Sequence, residues 1–399
     1  MKLSYPKVKL LLVIFLLPTL SGCWSSREIE ELGLIAGTAM DLAENENLSE
    51  EIEGQEDKSP NRVIMTLTNQ FVTSQPYSSS KKNGGMQQKA YKNVSETGDS
   101  IIPILRKMVL KNDKRSFAQH SKVIVISAGL ARTLNLQQIL DFFLREQEIR
   151  QSSVVLIAKN SARQTFESKE TTVIPAFRLF QITKSQERTT KILPPLSLAK
   201  LDGKLHSSSS FLLQNVITEN GEVKFSGAAV IGGKSKKLLG LMNEKDIEGL
   251  IWLTGKAKGG LVKSFDKKTR QPIIYEIKSI KSKINPHWTK NQLSFDVKIE
   301  SEGRIAEQWV SSGKPFENKF LKSAEKTTEK EVERLVKNVL IKTQKEYQVD
   351  VAGFGNRLRI EYPKYWEKVK KDWDKTYSRI PIKYQVNLTI KDYGTKGSN

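Results

Sequence analysis

The 399-residue chain carries 65 Lys and Arg against 44 Asp and Glu, a formal net charge of +21, with three histidines and a single cysteine. One cysteine excludes a disulfide framework, and three scattered histidines exclude a Cys/His metal site, so no cofactor is expected. The lysines are spread along the chain with no aromatic stacking motif among them; this argues against nucleic acid as a partner and suits a surface drawn to anionic headgroups or wall polymers.

Residues 1–22 read as an export signal. Lys2, Lys7 and Lys9 form a basic tip, and the apolar run Leu10 to Leu20 is about half the ~20 residues that a membrane-spanning helix needs. Ser21 and Gly22 are small enough for a lipoprotein peptidase to reach the Gly22–Cys23 bond, which places cleavage there. The Cys23 thiol, with no disulfide partner to compete for it, is the expected site of diacylglycerol attachment. Each buried acyl CH₂ contributes about 0.8 kcal/mol, so two or three chains on one residue would hold a folded body at a bilayer surface. The mature chain keeps 62 basic and 44 acidic residues, a net +18. Later apolar runs such as Val123 to Ile126 and Val154 to Ala158 are strand-sized, so no transmembrane helix is expected beyond the signal.

After Trp24 to Ile29, a short polar turn, the segment Leu32 to Met40 is apolar and predicts a strand. The acidic tract 43–61 predicts a long solvated loop, and Arg62 to Val72 alternates as the second arm of a hairpin. Ser74 to Asn93, rich in Ser and Gly, predicts an exposed mobile tract. Ile101, Leu105, Met108 and Val109 then share one helical face, with Ser100 at the cap position and Pro103 in the first turn.

The β-branched runs Val123 to Ile126 and Val154 to Ile157 flank a helical face at Leu136, Ile139, Leu140 and Phe143; this predicts a right-handed crossover between parallel strands. Glu167 to His206 shows no sustained alternation, and a domain boundary is expected near its end. Phe211 to Ile217, Lys224 to Ile231 and Lys236 to Met242 predict strands, the last two paired across Gly232 and Gly233. A short helix follows from Glu244 to Trp252, and then Ile273 to Ile277 and Leu293 to Ile299 alternate with period two. From Leu321 to Tyr347 an apolar stripe of Ala324, Thr328, Val332, Leu335, Val336, Val339 and Leu340 predicts one long helix. The tail offers Phe354 to Tyr362, a break at Pro363, an aromatic helix with Tyr365, Trp366 and Trp373, and a last strand Ile382 to Ile390.

The fold class is therefore α+β (mixed α/β) and multi-domain: a βαβ-containing mixed sheet over 23–200, then an antiparallel sheet packed with a long helix over 205–395, with a further split near 310. No catalytic residue is expected. His120 lacks a positioned nucleophile, and His206 and His287 lack ligand partners. Gly227 to Ser235 puts Gly233 where a phosphate loop needs its lysine, so it reads as a hairpin. Glu300 and Glu302 face the same side of a strand, and Glu329 and Glu333 lie one helical turn apart on the solvated side of the long helix; both read as chance pairs among 44 acids.

Several blocks in order resemble the GerAC-type spore germination lipoproteins, the C subunits of nutrient germinant receptors. They are Cys23-Trp24 with Arg27-Glu28-Ile29, Glu31-Leu32-Gly33, Ala39 to Asp41, Ser121 to Ile126 with Gly129-Leu130-Ala131, and Ile139 to Arg145 with Glu148-Ile149-Arg150. Further along stand Phe225 to Val230, Gly249 to Trp252 with Lys258-Gly259-Gly260, Val349 to Gly355, and Tyr362-Pro363 with Trp366 and Trp373. The tracts 43–61 and 74–93 exceed the length expected of the family.

The resemblance implies a non-enzymatic subunit, lipid-anchored through Cys23 on the outer face of the spore inner membrane and needed for the response of dormant spores to nutrients. Its implied partners are an A-type subunit with membrane helices and a multispanning B-type subunit. Two other classes fit less well: a solute-binding lipoprotein of an uptake system, which would show two similar βαβ lobes, and a wall-active hydrolase, which would show a site.

Overall fold

The computed structural model describes residues 31–43, 62–73, 89–289, 292–310 and 317–392. The expected signal, Cys23, Trp24 and nearly all of the two polar tracts lie outside the described residues.

The first sheet has nine strands in the order β3-β2-β1-β5-β6-β7-β8-β9, with β4 (Arg115–Phe117) beside the start of β1. Its centre is parallel: β1 (Leu32–Leu42), β5 (Val123–Ser127), β6 (Val154–Ala158) and β7 (Phe211–Glu219) run the same way. β2 (Met65–Val72) and β3 (Tyr91–Gly98) extend it antiparallel on one side, and β8 (Glu222–Ile231) and β9 (Leu238–Met242) on the other.

The two central parallel strands carry unbroken apolar runs, Val123 to Ile126 and Val154 to Ala158, because both faces are covered. On one face α1 (Ile101–Met108), α2 (Ala128–Thr133), α3 (Leu136–Arg145) and α5 (Leu198–His206) bury Ile104, Leu130, Ile139 and Leu201 against Ile124, Ile126 and Ile157. On the other, α4 (Pro175–Thr183) and the single turn Arg163–Phe166 bury Ala176, Leu179 and Phe166 against Val123, Val125 and Leu156. Gln70 fastens this second layer: its amide donates to the Phe166 carbonyl at 2.8 Å and its oxygen accepts from Ala176 N at 2.9 Å.

The structure departs from the sequence reading at several points. The end of the supposed mobile tract enters β3, whose Tyr91 and Val94 are buried. Ser100 sits at the N-cap of α1, yet its hydroxyl donates to Asp99 and caps nothing. The featureless stretch before His206 holds α4 and α5, with Pro175 opening α4 at a position where its missing N–H costs nothing. Strands β7 to β9, read as the opening of the second half, hydrogen-bond into the first sheet.

The second sheet runs β10-β11-β12-β13, from Leu261–Phe265, Pro272–Thr289, Gln292–Gln308 and Ile382–Asp392. It is antiparallel except that β13 lies parallel to β12, since the intervening helices carry the chain back to the starting end of the sheet. Helix α7 (Asn318–Ile341) covers one face and buries the whole stripe from Ala324 to Leu340 against Val262, Tyr275, Ile299 and Leu388. Inside this layer the Thr328 and Ser264 hydroxyls meet at 2.9 Å.

Along β13, Leu388 N donates to the Glu329 carboxylate at 3.0 Å and Ile390 N to that of Glu325 at 2.8 Å, so helix side chains satisfy the open edge of the sheet. Glu329 and Glu333 are half-buried, which corrects the solvated placement read from the pattern.

Helix α6 (Glu244–Thr254) joins the two sheets. An Asn243/Asp246 capping box starts it, and Asp246 also accepts from Lys342 Nζ at 2.7 Å. At Gly249 the helix touches α7 so closely that a Cβ would sit 2.3 Å from the Leu335 carbonyl oxygen. Beyond α7, the Tyr347 hydroxyl donates to the Leu241 carbonyl on β9 at 3.0 Å, a second tie between the sheets. No helix of the described residues is long and apolar enough to cross a membrane.

Candidate functional site

The densest polar construction in the molecule lies where the sheets meet, around the loop that leads from α7 into α8 (Phe354–Glu361). Asp350 is buried there. Its Oδ1 accepts from the N–H groups of Ala352 (3.1 Å), Gly353 (2.8 Å) and Phe354 (3.2 Å), and its Oδ2 from Gly355 N (2.7 Å) and the Trp373 indole (2.9 Å). Five donors on one carboxylate spend its hydrogen-bonding capacity and lock the turn. The turn needs its glycines: Gly353 has φ +91°, and a Cβ on Gly355 would lie 2.5 Å from Trp373 Nε1.

A second carboxylate extends the network to the first sheet. Asp374 accepts from Asp350 N at 3.0 Å and from Ser210 Oγ at 2.7 Å, and Ser210 Oγ accepts in turn from Gly233 N at 2.9 Å. Burial pushes the Asp374 carboxyl above its usual range, against the lowering effect of those two hydrogen bonds. Gly233 approaches the Ser208 carbonyl so closely that only glycine fits; that explains the Gly232-Gly233 pair better than any phosphate loop does.

Beside this network opens a cleft of about 520 Å³. Lys204 comes to it from the last turn of α5, Lys256 from just beyond the left-handed Gly255 cap of α6, and Arg357 and Arg359 from α8; Ser209, Thr254 and Ser282 add hydroxyls. Desolvation by the packed walls, helped by the Lys204 charge, holds the Lys256 ammonium below its ordinary value. Arg359 donates to Asn356 Oδ1 at 3.0 Å.

A second cleft, of about 550 Å³, lies at the starting end of the parallel strands. Ile35, Leu67, Leu105, Val109, Phe142 and Phe143 make it mostly apolar, with the buried Thr38 hydroxyl donating to Asn69 Oδ1 at 2.7 Å in its wall.

Gly22 and Cys23 lie outside the described residues, so the structure places neither. His120 stacks near Phe117 with centroids 5.7 Å apart, His206 faces Asp202 at 3.1 Å and His287 faces Asp296 at 3.1 Å; among the described residues no group of His, Cys, Asp or Glu could hold a metal. Glu300 pairs with Lys298 at 2.5 Å and Glu302 with Lys391 at 2.7 Å, ordinary exposed ion pairs on the open sheet face.

Trp366 and Trp373 do meet, edge to face at 5.4 Å, but on separate short helices, α9 (Pro363–Val369) and α10 (Trp373–Tyr377), and not on one continuous helix. The block Val349 to Gly355 is thereby brought against both tryptophans. Lys204, Lys256, Arg357 and Asp374 escaped the sequence reading because the cleft draws on five segments. The one local signal was an aspartate followed by glycines at the third and fifth positions, Asp350, Gly353 and Gly355.

Comparison with known proteins gives a consistent result along the whole chain. A family model for the spore germination protein N-terminal domain matches residues 25–218, and one described as spore germination B3/GerAC like, C-terminal, matches residues 226–394. The chain is 44% identical over 398 residues to spore germination protein YndF of Bacillus subtilis (strain 168), covering 99% of this chain and 98% of that one. It is 30% identical over 396 residues to spore germination protein A3 of the same organism, covering 98% and 100%. The crystal structure of the GerBC protein aligns with a TM-score of 0.61 at 28% identity, over 82% of this chain and 94% of that chain. Similarity through both family models and at full length, with a shared fold, means that the chain belongs to the GerAC-type family of spore germination proteins.

Proposed function

We propose that this chain is the lipid-anchored, non-enzymatic C subunit of a nutrient germinant receptor, held by diacylglycerol on Cys23 at the outer face of the spore inner membrane. The observation that carries the reading is full-length similarity to spore germination proteins in a chain whose one cysteine directly follows a basic tip and an apolar run of the kind an export signal has.

On this reading the subunit works beside an A-type and a B-type membrane subunit. A tether of a few residues confines the folded body to a thin layer and raises its effective concentration against membrane partners. The body is fit for such a role: two sheets welded by α6, by the Tyr347 contact and by the Asp350–Asp374 network make a stiff unit that can transmit a docking event without changing shape.

The reading is tested in spores carrying Cys23→Ala. The expected result is loss of the chain from the membrane fraction and a slowed nutrient response. Undiminished membrane association together with normal germination would overturn it.

A further inference from the structure

The basic cleft beside Asp350 gathers cations without acids to pair them. Several other surface lysines sit against carboxylates: Lys224 and Lys191 on Glu244 at 2.9 and 3.2 Å, Lys234 on Asp372 at 2.8 Å, Lys258 on Glu187 at 3.3 Å. In the cleft, Lys204, Lys256, Arg357 and Arg359 converge, and none makes an ion pair with any acid among the described residues.

The only carboxylate in the lining is Asp350, and its oxygens are already spent on four backbone N–H groups and an indole. Lys204 and Lys256 share this space of about 520 Å³ with two guanidinium groups, and loss of water, together with the Lys204 charge, depresses the Lys256 ammonium. A compact anion would relieve both. Two guanidinium groups offer paired donors to phosphate or carboxylate oxygens, two ammonium groups add point charge, and the Ser209 hydroxyl adds a neutral donor, those of Thr254 and Ser282 being given to the Leu250 and Leu253 carbonyls. The Cα of Gly353 leaves the cavity wall open, with nothing within 4 Å of where a Cβ would stand.

The topology adds a direction. Strands β1, β5, β6 and β7 are parallel and begin at one edge of the first sheet. Ser209 and Ser210 lead into β7 at that edge, and β1 begins with Leu32 at the same edge, three strand spacings or roughly 14 Å across the sheet.

We propose that this cleft is an anion-binding site for a phosphate group, carried by a small solute or by an anionic lipid headgroup. Nothing in the inference depends on the receptor reading, because binding is measured on the purified chain.

The test uses the chain from Trp24 to Asn399, which retains every described residue, and a Lys256→Glu/Arg357→Glu double variant. Neither replaced side chain is fully buried or ion-paired among the described residues, so the variant is expected to fold, and circular dichroism and thermal melting check this. Lys256→Arg/Arg357→Lys, which keeps the charge, serves as the conservative control.

In one arm inorganic phosphate and glycerol 1-phosphate are titrated by NMR at constant ionic strength set with chloride. In the other, the proteins are sedimented with vesicles of phosphatidylglycerol and phosphatidylcholine, and with phosphatidylcholine alone. Saturable binding in either arm that falls about ten-fold or more in the charge-reversed variant and persists in the conservative one establishes the site. The soluble arm alone identifies a free phosphate ligand; the vesicle arm alone, or both arms with tighter vesicle binding, identifies the headgroup. No binding in either arm, or binding that the reversal leaves unchanged, overturns the proposal.

Discussion

The two sheets of this chain solve the same burial problem in opposite ways. In the first, β5 and β6 are buried at every position because helices cover both faces, so the strands are apolar without alternation. In the second, β12 buries Phe295, Val297, Ile299 and Ser301 while Lys298, Glu300 and Glu302 face solvent, because only one face is covered. The difference teaches where this protein tolerates change: the parallel centre of the first sheet has no outward face to spare, whereas the open face of the second is available for charge.

The largest effect that sharpens this contrast is expected in the first sheet. Leu156→Ala, at a fully buried position, should lower the free energy of unfolding by about 2–5 kcal/mol in a urea titration.

The junction between the sheets should respond nearly as strongly. Asp350→Ala strips five donors of their acceptor in a buried turn and is expected to cost about 2–3 kcal/mol, with changed Trp373 fluorescence in the native state.

A smaller, pH-dependent effect is expected next door. Because burial raises Asp374 in the folded chain, its protonated form favours folding; that contribution is full below the unfolded value of about 3.9 and is lost as pH rises through the raised folded value. Asp374→Asn keeps an acceptor for Asp350 N and removes the charge. The variant should therefore match the parent below about pH 4, gain melting temperature relative to it as pH rises through the raised folded value, and keep that advantage, now constant, at higher pH. A constant offset at every pH would show that Asp374 does not titrate as the buried environment implies.

The smallest effect belongs to the open face of the second sheet. Glu300→Gln, which breaks only the exposed contact to Lys298, should leave the unfolding midpoint unmoved. A shift comparable to that of Leu156→Ala would break the comparison of the two sheets.

The parts legible in sequence are those with one dominant period. The runs at Val123 and Val154, the alternation of β12 and the α7 stripe all appear where the residues place them. What the sequence hid depends on contacts between distant segments. β3 was masked by polar neighbours because Gln70 and Thr68 on β2 supply partners for Asn93 and Ser95 through side chains as well as backbone. Helices α4 and α5 were masked because a proline-rich stretch looks irregular until Pro175 is recognised as a helix start. Glu329 looked solvated because nothing local announces the edge of β13. The cleft is the extreme case, since Lys204, Lys256 and Arg357 have no sequence relation and are joined only by the docking of one sheet on the other.

The most direct test of the central claim is germination of spores that lack this chain. Loss of optical density is followed with amino acids or sugars and, separately, with dodecylamine as a non-nutrient trigger. The account predicts loss of the response to one nutrient class with the dodecylamine response intact; normal germination to every nutrient would contradict it and bring the solute-binding class forward.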